Sequence, residues 1–572
     1  MASFNPDNPL IVQADRSIFL EVHNALAEAA RAAIAPFAEL EKSPEHLHTY
    51  RITPLSLWNA TASGVKPEQM IVALEDFAKY PVPSNVLTDV RELAGRWGRL
   101  KLHEAGTQYA LEVQPSDKAL LLELRRNKRL MVLLGDGLGD FAVAVPLLNR
   151  GVVKQTLLEL GYPVEDLAGF AEGLEFPIEL ASRTKVRDYQ LEAAEVFYQA
   201  GAKSGGSGVI VLPPGSGKTM VGIQVMSLIG QRTLVLTTNR TSVAQWRREI
   251  LEKTRLEPDD VAEYSSDKKA IAAITLCTYQ MLTHRKSKKT REEGVTEYPH
   301  MELFKSSEWG LIIYDEVHLL PAPVFRMTAE VQARRRLGLT ATLIREDGRE
   351  GDVFSLIGPK RYDLPWKDLE GRGWIATAVC CEVRTRLPEE ERLTYAVSEE
   401  NMKFRIAAEN PVKRDLVQRI LALHGNVPTL IIGQYLGQLE LIAADLECPL
   451  IIGETKQTER ERIFEGFRAG VIQRIVLSKV GNFALDLPEA QVLVQVSGAF
   501  GSRQEEAQRL GRLLRPKKTG ETAHFYSIVT RESKEEDFAH HRQLFLAEQG
   551  YAYRISDESE WHFDDVPAGL LN

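Results

Sequence analysis

From Val209 onward, short and almost wholly apolar runs recur along the chain, each separated from the next by a stretch with helical periodicity. The first series is GVIVL, TLVLTT, AITLCTY, LIIYDE and LGLTAT; the second is TLIIGQ, CPLIIGE, RIVLSK, VLVQVS and HFYSIV. Continuous apolar strands alternating with helices mark a parallel sheet covered on both faces. Two α/β lobes in tandem are therefore predicted.

Ahead of them the pattern is mostly helical. Asn24 to Leu40 places Leu26, Ala29, Ala30, Ala33 and Phe37 on one face, residues 53–80 hold two helical stretches broken at Ser63-Gly64, and a third runs from Pro83 to Trp97. The alternating RLKLHEAGTQYALEV reads as a hairpin around Ala105-Gly106. Three helices and a hairpin suit a winged-helix-like module; a helical packing domain with no DNA contact fits the same pattern. Asp117 to Phe176 reads as a helix, short strands near Met131 to Leu134 and Phe141 to Val145, and a helix through Val152 to Leu160, a small α+β module. LAGFAEGLEFPIELAS follows as a linker. The expected divisions are a helix-rich domain over 1–115, the small module over 116–180, lobes over 181–360 and 361–550, and a tail over 551–572.

Composition narrows the class. A chain of 572 residues is too long for one hydrophobic core. With 44% hydrophobic and 26% charged residues, and no apolar run near the ~18 residues that span a bilayer, no membrane partner is expected. The first residues lack a basic stretch followed by an apolar core, so a cytoplasmic location is expected. Cys277, Cys380, Cys381 and Cys448 have no CxxC spacing, which points away from structural zinc and a disulfide framework. The net charge of −9 excludes a generally basic coat, so any nucleic-acid contact must be local.

The chemistry begins at GVIVL-PPGSGKT-MVGIQVMSLI, which reads as strand, glycine-rich turn and helix. In the turn Pro214-Gly215-Ser216-Gly217 the backbone N–H groups from Gly215 on, with the helix start, would converge on phosphates; Lys218 would neutralise them and Thr219 would hold Mg²⁺. Leu212 stands where the full P-loop pattern has its first glycine. In WGLIIYDEVHLL, Asp315 would hold Mg²⁺ through its shell and Glu316 would orient and deprotonate the attacking water. Alone, such an acidic pair is ordinary in a solvated loop; downstream of a P-loop in the same sheet it is a catalytic signature. EEAQRLGRLLR puts Gln508, Arg512 and Arg515 on one helical face, from which a guanidinium could reach a γ-phosphate held by the other lobe. RDYQ, Arg187 to Gln190, offers a glutamine amide suited to adenine N6 and N7, or a segment that caps its helix.

Taken in order, RDYQ, PPGSGKT, DEVH, LTAT, SKVGNFALDLPEA and QEEAQRLGRLLR resemble the motifs of superfamily-two helicases. DEVHLLPAPVFR, LGLTATLIREDGRE with its Arg345-Glu346-Asp347 triplet, and FSLIGPKRYDLPW resemble the XPB family within it, in a bacterial form. The resemblance spans most of 185–530, and NPLIVQADRS through TYRITPLSLWNA is similar to the front of bacterial members. It implies two RecA-like lobes and an ATP- and Mg²⁺-dependent 3′–5′ DNA helicase of repair, with single-stranded DNA and duplex junctions as substrate and a repair nuclease as candidate partner. It further implies that His318 and Gln508 link the γ-phosphate to lobe closure, that Arg512 and Arg515 are fingers, that Thr340 to Thr342 couple the site to DNA, and that Arg345 to Asp347 bear on strand separation. A thumb-like segment would fall at 387–410, and the module before residue 180 would correspond to a damage-recognition domain.

Loops after the strands supply DNA candidates: Asn239, Arg240, Gln245, Trp246, Thr278, Tyr279 and Gln280 in the first lobe, Lys479, Asn482 and Arg503 in the second. Trp246 and Tyr279 also fit as core residues. HRKSKKTR at 284–291 and Arg334 to Arg336 add positive charge on what would be solvated surface. Two classes of function remain: a helicase that travels on DNA, and a DNA-bound ATPase switch or scaffold that remodels a repair complex without processive unwinding.

Overall fold

A computed structural model of the chain describes residues 4–43, 46–169, 173–266, 268–284, 300, 303, 308–321, 324, 335–341, 350–364, 366–372, 374–478, 490–498, 522–537, 539, 543, 546 and 553–558. Most of residues 1–363 form one unit, and the other is built on residues 364–572.

The front of the chain contains strands the hydrophobic pattern did not announce: β1 (Leu10–Val12), β2 (Ser17–Glu21), β3 (Glu39–Lys42) and β4 (Leu47–Arg51), in a four-stranded sheet. The helix expected from Asn24 to Leu40 is confined to Ala27–Ile34, because Pro36 lacks the N–H that another turn would need. Helices Pro54–Ala62, Pro67–Phe77 and Ser84–Ala94 follow. The first opens on a reciprocal cap in which Ser56 N–H donates to Thr53 Oγ1 and Thr53 N–H donates to Ser56 Oγ, both at 3.0 Å. It stops before Gly64, whose φ of +97° only glycine adopts without strain.

The expected hairpin is present as β5 (Leu100–Ala105) and β6 (Gln108–Val113), antiparallel over six residue pairs. Its neighbours differ from those of a wing on three helices. Strands β7 (Ala142–Val145) and β8 (Val164–Asp166) flank it in the order β7-β6-β5-β8, over a core of Leu102, Leu111, Leu121, Val143 and Leu157. One core thus holds residues from both sides of position 115. Met131 to Leu134, expected as a strand, is instead a turn over 131–133 and irregular at Leu134, after helix Lys118–Arg126. The stretch read as a linker is tied down: Leu174, Phe176 and Ala181 donate backbone bonds to Glu308, Gly230 and Lys253.

The first large sheet contains β9 (Ser207–Val211), β10 (Thr233–Thr237), β11 (Val261–Tyr264), β12 (Ile274–Thr278), β13 (Leu311–Asp315), β14 (Arg335–Thr340) and β15 (Lys360–Asp363), in the order β11-β12-β10-β13-β14-β9-β15. The second contains β16 (Ala378–Thr385), β17 (Thr429–Gly433), β18 (Leu450–Ile451), β19 (Arg474–Ser478), β20 (Val492–Gln495), β21 (Ala523–Thr530) and β22 (Tyr553–Asp557), in the order β18-β19-β17-β20-β21-β16-β22. Every adjacent pair in both sheets is parallel. Numbered from its own first strand, each sheet reads 3-4-2-5-6-1-7, so the second lobe repeats the topology of the first. Buried Val209, Leu236, Ile312 and Tyr314 anchor one core, and Val383, Ile431, Val476 and Val494 the other. Residues 553–557, assigned to a tail, supply the edge strand of the second sheet. The thumb-like candidate is a helix pair, Glu389–Val397 and Glu400–Ala408. Among the described residues no helix is long and apolar enough to cross a membrane.

Candidate active site

Strand β9 ends at Val211, and Leu212 then donates its N–H to the Thr340 carbonyl at the end of β14, 3.0 Å away. The chain turns through Pro213 to Gly217 and enters the helix Lys218–Ile229. Gly215 and Gly217 have φ of +79° and +83°, the left-handed region where a side chain is strained. A Cβ on Gly217 would also lie 2.5 Å from Nε2 of the buried Gln190. Ser216 is buried and donates from Oγ to the Pro213 carbonyl at 2.6 Å. The turn is thereby shaped as a cradle of backbone N–H groups at a positive helix end, suited to phosphate oxygens. Lys218 Nζ donates to the Leu212 carbonyl at 3.4 Å and lies 3.8 Å from Glu316 Oε1. Thr219, half-buried, occupies the first turn of the helix.

Two strands away, β13 delivers Asp315 and Glu316. Glu316 adopts φ +52° as it opens the short 3₁₀ turn Val317–Leu319, a conformation that costs a non-glycine residue free energy and aims its carboxylate towards Lys218. Burial and the neighbouring Glu316 carboxylate push the Asp315 carboxyl up to about 6; the Trp246 indole and the Lys218 charge act against them. Trp246 Nε1 donates to Asp315 Oδ2 at 3.0 Å, and the Tyr279 hydroxyl donates to the Asp315 carbonyl at 2.9 Å. His318, also buried, brings Nδ1 within 2.7 Å of Thr340 Oγ1 and 3.6 Å of Glu316 Oε2.

Trp246 and Tyr279 take the core places that the sequence also allowed them. They are 2% and 4% exposed, so neither ring can stack on a base; both hold the acidic strand end. Sequence reasoning also missed Gly222, where a Cβ would meet the Trp246 ring at 2.5 Å, so the missing side chain lets the P-loop helix approach that indole. The only sequence signal was a glycine inside a helix. Arg336 corrects an expectation: it is 1% exposed, not part of a solvated basic surface, and Arg335 lies over the Tyr198 ring at 5.7 Å.

Gln190 acts as the helix-capping reading expects, its Oε1 accepting from Arg187 N–H at 3.0 Å, while an Arg187 guanidinium nitrogen is 3.0 Å from the Tyr189 hydroxyl. Asn239 caps the helix Arg240–Lys253 by accepting from Ser242 N–H, and Thr278 caps Tyr279–Leu282 by accepting from Met281 N–H. Exposed Arg240, Gln245 and Gln280 lie on these same helices. Thr342, Arg345, Glu346, Asp347, Lys479, Asn482, Arg503, Gln508, Arg512 and Arg515, with all but His284 of the 284–291 cluster, lie outside the described residues.

The residues present fit a nucleoside triphosphate and its divalent cation. Two adjacent carboxylates, one of them pushed up to about 6 by burial and by the other, form a place that favours a cation beside an anion cradle. A metal ion bound through a carboxylate, a hydroxyl and phosphate oxygens would fill that place. Fold and site define a P-loop nucleoside triphosphatase lobe followed by a second lobe of the same topology.

Comparison with known proteins carries this further. Residues 369–567 match the ERCC3/RAD25/XPB C-terminal helicase family, residues 183–345 the type III restriction enzyme res subunit, and residues 10–138 a helicase conserved C-terminal domain. The chain is 53% identical over 565 residues to the DNA 3′-5′ helicase XPB of Kineococcus radiotolerans, covering 99% of this chain and 98% of that protein. It is 53% identical over 555 residues to the protein of the same name from Mycobacterium tuberculosis, covering 97% and 98%. To the general transcription and DNA repair factor IIH helicase/translocase subunit XPB/SSL2 of Saccharomyces cerevisiae it is 32% identical over 611 residues, covering 95% and 71%. The chain belongs to the XPB family of DNA helicases.

Proposed function

We propose that this protein is an ATP-dependent 3′–5′ DNA helicase of the XPB type acting in DNA repair, with its hydrolytic site on the first lobe at Lys218, Asp315 and Glu316. The observation that carries the site is the approach of Lys218 Nζ to Glu316 Oε1, 3.8 Å, past the end of the intervening strand β14. Its support as a DNA helicase is the near full-length similarity to relatives of that name.

The backbone N–H groups of 215–218 and the Lys218 ammonium would bind the terminal phosphates, with Arg187 and Gln190 at the base side. Thr219 and Asp315 would hold Mg²⁺, which when bound would supply charge neutralisation at the phosphates. Trp246 keeps Asp315 oriented and favours its ionised form. Glu316 is placed to take the proton of an attacking water, since its carboxylate projects from a left-handed residue beyond the strand. His318, 2.7 Å from Thr340, joins the water-activating loop to the end of β14, which gives DNA-coupled motion at Thr340 and Thr342 a route to the carboxylate. Arg512 and Arg515 of the second lobe would stabilise charge that develops only in the transition state.

The test is steady-state ATP hydrolysis with matched DNA and RNA strands. DNA-stimulated turnover, lost in Lys218→Ala, is the expected result. Turnover insensitive to DNA or stimulated only by RNA would overturn the reading.

A further inference from the structure

On the first unit, the end of helix Pro54–Ala62 with Gly64, the small α+β module and the first lobe line a cavity of about 270 Å³. Among the described residues its charged lining is mostly basic: Lys154, Lys203, Arg336 and Arg361 face it, with Glu165 and Asp166. Both carboxylates are already engaged by further cations behind the wall. Asp166 takes Arg150 at 2.6 Å as well as Lys154 at 2.9 Å, and Glu165 lies 3.6 Å from Lys101. Arg361 is pinned with its fork on backbone carbonyls, Nε on Ser207 at 3.1 Å, Nη1 on Ala62 at 3.4 Å and Nη2 on Ser204 at 2.5 Å. Arg336 donates to Ser207 Oγ at 3.1 Å.

This concentration of buried positive charge is costly. Burial, with repulsion from Arg336 and Arg150, holds Lys154 down to about 8 in spite of Asp166; burial likewise brings Arg336 and Arg361 down to about 10. An anion entering the cavity would relieve all three at once. Guanidinium forks beside an ammonium are the donor set that suits phosphate oxygens. The volume exceeds that of a single phosphate, and the remaining wall includes Trp97 and Phe354, packed edge to face at 5.6 Å, an apolar surface for whatever the phosphate is attached to.

The cavity is separate from the hydrolytic site. Ser207 begins β9 and Arg336 is the second residue of β14, whereas the P-loop follows the other end of β9 and Thr340 ends β14. Four strand steps of ~3.3 Å put the two sites roughly 13 Å apart, at opposite ends of neighbouring strands of one parallel sheet. We propose that this cavity is a second ligand site, which binds a phosphate-bearing small anion and joins the N-terminal modules to the first lobe through it.

The experiment measures thermal stabilisation of the full-length Lys218→Ala protein, whose P-loop is disabled, by inorganic phosphate and separately by ADP. Both arms are repeated with Lys203→Glu, an exposed rim position, or Lys154→Met added to Lys218→Ala. The expected result is saturable stabilisation by at least one probe, with apparent Kd raised about tenfold or more by either added change. Stronger stabilisation by ADP identifies a nucleotide as ligand, and equal stabilisation identifies free phosphate. If Lys154→Met does not fold, Lys203→Glu carries the test. No stabilisation by either probe, or stabilisation unchanged in Lys203→Glu, overturns the proposal.

Discussion

The indole N–H of Trp246 is bonded to Oδ2 of Asp315 at 3.0 Å, joining the helix after β10 to the acidic end of β13. The bond favours the ionised carboxylate, the form able to hold a metal ion. Trp246→Phe keeps a ring packed at Gly222 but deletes the donor, so the Asp315 pKa moves above its present value of about 6. Hydrogen bonds to charged groups contribute roughly 1.5–3 kcal/mol, so a fall in kcat of about tenfold or more is expected. The acid limb of the pH–rate profile should move to higher pH; an unmoved limb with normal kcat would contradict the role given to Trp246.

Asp315 itself should trade stability for activity. Its folded pKa is raised from 3.8 to about 6, so between those values the folded protein holds a proton that the unfolded chain has released. Stability therefore falls as pH rises through that window and stays reduced above it. Asp315→Asn removes the buried charge and leaves an acceptor for the indole, so unfolding at pH 7.5 should be harder by about 3 kcal/mol, while ATP turnover is lost. For the unaltered protein, Mg²⁺-ATP affinity should rise from pH 5 to 7 and then level off. Chemical denaturation and a binding titration across pH check both signs.

Gly217 tests the cradle. Gly217→Ala adds both a strained φ and a contact with Gln190, whereas Gly139→Ala adds the strain alone, since φ is +83° at both and nothing lies within 4 Å of a Cβ at 139. Each should lose roughly 1 kcal/mol or more of stability. Only Gly217→Ala should abolish ATP binding, and Gln190→Ala added to it should recover part of the stability. Equal effects at the two glycines would remove the packing argument.

The first series of strands was legible because β9, β10, β12, β13 and β14 are buried on both faces and read as continuous apolar runs. Of the strands in these two sheets that no predicted run covers, β11 (VAEY), β15 (KRYD) and β22 (YRISD) lie at sheet edges and carry polar residues that break such a run, and the interior β16 (AVCCEVRT) is broken by Glu382 and Arg384. In the site, Lys218, Asp315 and Glu316 announce themselves through motif spacing. The roles of Trp246, Tyr279 and Gly222 do not, because they depend on a helix and a strand end distant in sequence meeting at Asp315. An aromatic residue after a strand suits a nucleic-acid platform as well as a core, and only burial separates the two. Arg336 shows the same limit: three consecutive arginines look like surface until strand alternation turns one inward.

Arg512 lies outside the described residues, and its role rests on its spacing from Gln508 and Arg515 and on family resemblance. Arg512→Ala should leave nucleotide binding intact and lower kcat by roughly 10³ to 10⁵. Near-normal kcat in single-turnover assays would remove the second lobe from the hydrolytic step.

The central claim is that ATP hydrolysis at Lys218 drives directional separation of DNA strands. Strand displacement on duplexes with a 3′ or a 5′ tail, comparing unaltered and Lys218→Ala protein, tests it most directly. The account requires ATP-dependent displacement of the 3′-tailed duplex by the unaltered protein and none by Lys218→Ala. DNA-stimulated hydrolysis without displacement on either tail would contradict it and leave a switch in place of a motor.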